Sequence, residues 1–103
     1  MIKTNLNKIK NYIDIAARAK YVIYGADNLK GYTHKLYLVL YRNDFGKTIQ
    51  KVLNELNNLP SFMLKVEDFN YITNLQNCKL IAIKNKGLAE QISNYLRSET
   101  ISG

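Results

Sequence analysis

The chain of 103 residues is poor in the residues that build covalent cross-links, metal sites and catalytic centres. It has one cysteine, Cys78, one histidine, His34, one proline and no tryptophan. A single cysteine excludes an internal disulfide, and Cys78 with His34 alone does not make a cysteine–histidine metal site. His34 has no serine or cysteine partner in a recognisable motif, so we interpret it as a loop residue. We therefore expect no metal, no cofactor and no enzymatic activity.

Long hydrophobic runs are also missing. No apolar stretch approaches the roughly 18 residues of a membrane-spanning helix. The basic N-terminal segment lacks the apolar core of a secretory signal. The sequence therefore predicts a cytoplasmic protein without a membrane partner. A chain of 103 residues with 47% hydrophobic content suits one compact domain. We place this domain at residues 1–97 and expect residues 98–103 to form a mobile tail.

What the sequence has in excess is positive charge. Fifteen lysines and arginines against eight acidic residues give a net charge of +7. The excess is +6 in residues 1–50 and +1 in residues 51–103. Such a field attracts polyanions, and affinity that depends on phosphate contacts falls steeply with salt. Composition alone leaves open the alternative that the charge serves only solubility.

Hydrophobic spacing predicts that helices and strands alternate. Residues 5–19 and 45–57 have apolar side chains at spacings of three and four, which is typical of amphipathic helices. Apolar runs at 21–24, 35–41, 61–66 and 79–84 predict four strands. Short helical segments are expected after the first strand and within 67–78, and a last helix at 88–96. This order favours an α/β fold with a sheet between helical layers.

The segment KYVIYGADNLK, residues 20–30, is the first candidate site. A β-branched and aromatic strand ends at Gly25, and a short polar segment that could open a helix follows. At this junction the sequence brings together free backbone N–H groups, a carboxylate, an amide and a lysine. Groups of these kinds bind the phosphates and base edges of nucleic acids. A junction of this kind often only turns the chain, so both interpretations stay open at this stage.

Four segments, in this order, resemble a known family. They are IDIAARAKYVIYG, KLYLVLYRND, TIQKVLNELNNLPSFML and KLIAIKNKGLAEQI, and together they span nearly the whole chain. The sequence resembles the small bacterial members of the kink-turn RNA-binding ribosomal-protein superfamily, the group of ribosomal protein L-seven-Ae and its L-thirty-e relatives. The resemblance implies a three-layer α/β/α sandwich with a mixed four-stranded sheet. It also implies binding to a kinked RNA helix, of the kind found in ribosomal RNA, within a ribonucleoprotein.

The resemblance also implies which residues contact RNA. In the family, the helix after the first strand begins with glycine, a small residue, asparagine and glutamate, and a lysine follows after two variable residues. Gly25 and Ala26 match, Asp27 and Asn28 stand where asparagine and glutamate are expected, and Lys30 lies one position before the family lysine. Guanine edges present N–H donors, so either Asp27 or the Asn28 carbonyl is the expected acceptor.

Three further residues complete the predicted RNA-binding set. Leu75, in the loop before the last strand, is expected to pack against a flipped nucleotide. Lys35 and Arg42 are predicted to contact phosphates. The leading hypothesis is a small basic RNA-binding protein of the kink-turn type. The alternative is a protein-interaction module on the same fold that has lost specific RNA recognition. The oligomeric state is left open.

Overall fold

The structure, a computed structural model, describes residues 1–30, 32, 35–56 and 58–101. His34, which the sequence placed in a loop, lies outside the described residues. Within them, helices and strands alternate along the chain as the hydrophobic spacing predicted. The elements are α1 (Lys3–Arg18), β1 (Val22–Tyr24), α2 (Ala26–Leu29), β2 (Leu38–Arg42), α3 (Lys47–Glu55), β3 (Ser61–Leu64), α4 (Val66–Thr73), β4 (Leu80–Ile83) and α5 (Lys86–Ile101).

The four strands form one mixed sheet in the order β1-β4-β2-β3. β4 is antiparallel to both of its neighbours, and β2 and β3 are parallel. The register pairs Tyr24 with Ile81, and Tyr41 with Leu80. The C-terminal ends of β1, β2 and β3 therefore meet the N-terminal end of β4 at one end of the sheet, which we call the β4-entry end. The chain that leaves β1 and the chain that enters β4 are neighbours there.

Helices cover both faces of the sheet. Alternate residues of a strand point to opposite faces, so Leu38 and Leu40 enter one core and Val39 enters the other. The first core is shared with α1, α4 and α5, and its largest buried side chains are Phe69, Ile9, Leu38, Leu40, Ile72, Ile81, Ile83 and Ile92. The second is shared with α2 and α3, and it contains Ala26, Leu29, Val39, Ile49, Val52, Leu80 and Ala82. These layers confirm the predicted α/β/α sandwich with a mixed four-stranded sheet. None of the helices that the described residues form is long and apolar enough to cross a membrane.

The last helix extends beyond its predicted end. Asn85 caps its first turn by accepting a hydrogen bond from the backbone N–H of Leu88 at 2.9 Å. The helix continues to Ile101, beyond its predicted end at residue 96, and residues 102 and 103 of the expected mobile tail lie outside the described residues. The Glu99 carboxylate accepts hydrogen bonds from the Ile2 backbone N–H at 2.8 Å and the Asn5 amide at 2.7 Å. These bonds join the end of α5 to the start of α1, a contact between residues more than ninety positions apart that helical spacing does not reveal.

Candidate nucleic-acid interface

The junction between β1 and α2 depends on the backbone of Gly25. Its φ of 85° and ψ of 150° lie in a region that is essentially restricted to glycine. Its N–H donates a hydrogen bond to the carbonyl of Leu80 at 2.8 Å, which holds the junction against the start of β4. Ala26 and Leu29 are buried in the α2–α3 core. The short helix is thereby anchored by its apolar side, and Asp27 and Asn28 are left on its exposed side.

Gly25→Ala is expected to lower the free energy of unfolding by about 1–3 kcal/mol because an L-residue is strained at this φ and ψ. The cause is conformational, since a Cβ at this position meets no atom of the described residues within 4 Å. Gly46→Ala is the matched control: its Cβ also meets no atom of the described residues within 4 Å, but its φ of −102° is ordinary extended backbone. Because Gly46 is the N-cap of α3, where glycine is favoured over alanine, we expect a loss smaller than that of Gly25→Ala, at most about 1 kcal/mol. Urea unfolding of both variants tests this, and equal losses would contradict the role assigned to the Gly25 backbone.

A groove of about 470 Å³ lies at the β4-entry end of the sheet. It is bordered by three segments that are distant in sequence: the β1–α2 junction, the first turn of α3 and the chain that enters β4. Its lining residues are Tyr24, Gly25, Ala26, Asp27, Asn28, Thr48, Ile49, Asn77, Cys78, Lys79 and Leu80. We call it the junction groove. Four of the predicted RNA-binding residues, Gly25 to Asn28, therefore lie together in one concave surface.

The two candidate acceptors differ in how firmly they are held. The Asp27 carboxylate is 90% exposed, and the nearest charged partner is the Lys30 ammonium group at 3.9 Å. Asn28 donates a hydrogen bond from its side-chain amide to the carbonyl of Tyr24 at 2.7 Å, which directs its amide nitrogen back to β1. Tyr24 is partly exposed at the groove, and burial raises the pKa of its phenol. A neutral Tyr24 at pH 7 can donate a hydrogen bond and offers a ring on which a base can stack.

Arg42 is buried, whereas the phosphate contact predicted from the sequence requires an exposed guanidinium. The residue is 6% exposed at the end of β2. Its guanidinium donates to both carboxylate oxygens of Asp44, at 2.8 and 2.6 Å, to the side-chain carbonyl of Asn70 at 3.0 Å and to the backbone carbonyl of Gln76 at 2.9 Å. This geometry favours a structural role over the predicted phosphate contact. Arg42 joins β2 to α4 and to the segment that leads into the junction groove.

Asp44 connects this cluster to the groove. The bidentate hydrogen bonds from Arg42, with its positive charge and that of Lys79, hold the pKa of the Asp44 carboxyl below its usual value. The same hydrogen bonds raise the pKa of Arg42. Lys79 lies 3.8 Å from the Asp44 carboxylate and donates to the Asp44 backbone carbonyl at 3.2 Å. The Lys79 ammonium group, still partly exposed, is thereby positioned at the groove.

The remaining predicted RNA contacts differ in their position relative to the junction groove. They are Lys30, Leu75 and Lys35. Lys30 is exposed at the end of α2, beside the groove, through its pair with Asp27. Leu75 is half-buried just after α4, and it is not among the lining residues. Lys35 precedes β2, so it lies at the opposite end of the sheet from the junction groove, with its ammonium group 5.4 Å from the ring centre of Tyr37. The structure does not bring Lys35 together with the other predicted RNA contacts.

Seven lining residues were missing from the sequence-based set: Tyr24, Thr48, Ile49, Asn77, Cys78, Lys79 and Leu80. Lys79 was detectable, since a lysine immediately before a buried strand lies where the chain meets the end of the sheet. Thr48 had no comparable signal, because its proximity to Gly25 depends on the packing of α3 beside α2 in their shared core. Asn77 lies in the loop before the last strand, and the antiparallel placement of β4 beside β1 brings it near Gly25. Among the described residues, no group of three histidine, cysteine or acidic side chains is placed to hold a metal ion.

Comparison with known proteins bears on the fold alone. No family model matches the chain, and no curated protein matches it. Among solved structures, it is similar to that of a protein with unknown function from Bacillus halodurans C, at 18% sequence identity and a TM-score of 0.71. The similarity covers 87% of this chain and 97% of that chain. The chain thus shares its α/β sandwich, over nearly the whole length of the other protein, with a chain of very different sequence.

Proposed function

We propose that this protein binds structured RNA of the kink-turn type, as part of a ribonucleoprotein, and that the junction groove is the binding site. The protein acts by recognition of shape, phosphates and guanine edges and carries out no reaction on the RNA. The proposal rests on the sequence resemblance to the kink-turn ribosomal-protein superfamily and on the arrangement of the groove. The mixed four-stranded sheet between helical layers is the fold that this resemblance implies.

One observation carries the proposal. The two segments that the resemblance assigns to RNA, the helix after the first strand and the loop before the last strand, border the same groove. Gly25 to Asn28 come from the first. From the second, Asn77 lines the groove, whereas Leu75, the residue expected to pack against a flipped nucleotide, does not. More than forty residues separate them in sequence, and the pairing of β1 with β4 places them side by side. A kinked RNA needs this combination because its displaced bases and its backbone must be contacted together.

The chemistry of the groove suits an RNA ligand. Asp27 and Asn28 supply acceptors for guanine N–H groups, and Tyr24 supplies a partly exposed ring. Lys79 at the groove and Lys30 beside it supply positive charge for phosphates. Neighbouring base edges and phosphates can thus be met on one surface, and the overall charge of +7 assists the approach of a polyanion.

The proposal is tested by titrating a labelled kink-turn RNA, and a matched duplex without the kink, at two salt concentrations. We expect the kink-turn to bind at least tenfold more tightly, which corresponds to about 1.4 kcal/mol. Lys79→Gln combined with Lys30→Gln should weaken binding to both RNAs and reduce the salt slope by about one unit for each phosphate that the variant no longer neutralises. Lys35→Gln is the matched control because it removes the same charge at the opposite end of the sheet.

Each outcome has a distinct meaning. Equal affinity for the kink-turn and the duplex, abolished at high salt, would reduce the proposal to nonspecific binding by a basic surface. The loss of affinity in the double variant can be divided equally between its two lysines. If Lys35→Gln alone caused a loss as large as that share, the junction groove would not be the site. Absence of binding to both RNAs would overturn the proposal and favour the protein-interaction module that the sequence left as its alternative.

A further inference from the structure

A second groove lies at the end of the sheet opposite the junction groove. Its volume is about 280 Å³, and it is bordered by residues 35–37 before β2, residues 58–60 before β3 and one face of α5. The backbone N–H of Tyr37 donates to the carbonyl of Ile83 at 3.0 Å, which brings the segment before β2 beside the segment that leads from β4 into α5. We call it the α5 groove. The function proposed for the junction groove makes no use of it.

The charged residues of the α5 groove are mostly basic. Among the residues that the structure describes, Lys35, Lys86 and Arg97 line it, against one carboxylate, that of Glu90. Lys35 and Lys86 both belong to the segments that the Tyr37–Ile83 bond holds together, so two cations border the same part of the groove. Arg97 is eleven residues further along α5, which is about 16 Å along a helix axis. The positive charge is therefore concentrated at one end and continued by a single guanidinium at the other.

Between these charges the groove is largely apolar. Leu36, Leu59 and Pro60 form one side, and Ala89 forms part of the helix side. Ser93, which is 4% exposed, places a buried polar side chain on that helix face. A site for inorganic phosphate needs clustered donors and little apolar surface. An RNA strand, with a phosphate at every nucleotide, would meet the Glu90 carboxylate in the middle of its path.

We infer that the α5 groove binds a small organic anion. Its phosphate or carboxylate group pairs with Lys35 and Lys86, and its apolar body packs on Leu36, Leu59 and Pro60. The volume of about 280 Å³ lies just below the lower end of the range for small-molecule pockets, about 300 Å³, which restricts the ligand to a small one. Such pockets are mostly apolar with a few polar groups that fix orientation, as this groove is. The ligand site is separate from the proposed RNA site, since the two grooves lie at opposite ends of the sheet.

Two-dimensional ¹⁵N–¹H NMR of the full chain tests this inference with four probes. Phenyl phosphate and benzoate are organic anions that differ in the acidic group, whereas inorganic phosphate lacks the apolar body and benzylamine carries the opposite charge. We expect saturable shifts of the amides of residues 35–37 and 86–93 with at least one organic anion, with a dissociation constant near or below about 1 mM. Comparison of the two anions decides between a phosphate ligand and a carboxylate ligand.

Variants provide the second readout. Lys35→Gln combined with Lys86→Gln should weaken binding of the organic anion at least tenfold, and the spectrum of the free variant verifies its fold. Lys51→Gln is the matched control, because Lys51 is an exposed lysine of α3 on the other helical layer, and this variant should leave binding unchanged.

The inference is overturned by equal shifts with benzylamine or inorganic phosphate, by an unaffected double variant, or by no saturable shift with either organic anion up to about 10 mM. Shifts of these same amides by the kink-turn RNA would also overturn it, because they would assign the groove to RNA. If the inference fails by any of the first three outcomes, the RNA-binding proposal for the junction groove still stands, because neither variant alters that groove.

Discussion

Arg42→Met is expected to lower the free energy of unfolding by about 2–4 kcal/mol, the largest effect of a single substitution that we predict. The guanidinium of Arg42 makes four hydrogen bonds at the end of β2, to Asp44, Asn70 and Gln76. Methionine preserves the apolar stem but leaves the carbonyls of Asn70 and Gln76 and the Asp44 carboxylate without this donor. Removal of one partner of a buried ion pair costs about 3–5 kcal/mol, and we expect somewhat less because the Asp44 side chain is partly exposed.

Arg18→Met is the matched control, since Arg18 is exposed at the end of α1 and such substitutions usually change stability by about 0.5 kcal/mol or less.

Acid unfolding gives an independent readout. The pKa of Asp44 is lower in the folded protein than its ordinary value of 3.8, so protonation of Asp44 favours the unfolded state. The stability that the pair contributes is complete above about pH 4 and is lost as the pH falls through the lowered pKa. Arg42→Met should remove this part of the pH dependence. A variant as stable as the wild type, with an unchanged acid transition, would refute the structural role of Arg42.

Asp27→Asn is expected to weaken binding of a kink-turn RNA by tenfold or more while binding to a plain duplex stays equal or becomes tighter. A carboxylate that accepts hydrogen bonds from a guanine edge is worth about 1–3 kcal/mol in discrimination. The same substitution removes a negative charge from a surface that attracts RNA, which favours nonspecific binding. The two effects have opposite signs. Competition titration of both RNAs against wild-type and variant protein therefore separates guanine recognition from general electrostatic attraction.

Glu55→Gln is the control for charge, because this exposed residue ends α3 while the groove is bordered by the first turn of that helix. If Asp27→Asn tightened binding to both RNAs as Glu55→Gln does, Asp27 would be excluded as the acceptor. Asn28→Ala then tests the other candidate. Its interpretation requires a check of folding, since Asn28 also donates to the carbonyl of Tyr24 and helps to hold α2. If neither variant changed kink-turn discrimination, the junction would have no part in specific recognition.

Much of the fold was predictable because its elements have strong local signals. The strand at 79–84 is a short apolar run between polar segments, and its observed core, Leu80–Ile83, is buried on both faces. The two amphipathic helices were recognisable from spacings of three and four residues. Element ends were less predictable. The strand expected to begin at Lys35 begins at Leu38, and the last helix continues to Ile101 because Glu99 bonds to the start of α1.

The candidate site was predictable only in part. Gly25 to Asn28 could be selected because a strand that ends at glycine and enters a polar segment has a local signature, and the structure places all four in one groove. Arg42 and Lys35 were selected for their charge alone. Charge indicates neither exposure nor location, so the sequence did not distinguish a buried arginine with internal partners from a lysine at the far end of the sheet. Asn77 and Lys79 join the site through the pairing of β4 with β1, and Thr48 joins it through the packing of α3 beside α2.

By itself, the sequence determined the features that depend on neighbouring residues: which segments form helices and strands, where glycine permits a left-handed turn, and the excess of positive charge. The tertiary structure decided the features that depend on residues far apart in the chain. The insertion of β4 between β1 and β2 brings the Gly25 junction beside Lys79, the same topology separates Lys35 from both, and the partners of Arg42 come from three different segments. The physical reason is that local sequence sets backbone preference and burial pattern, whereas strand order and register set which distant side chains share a surface.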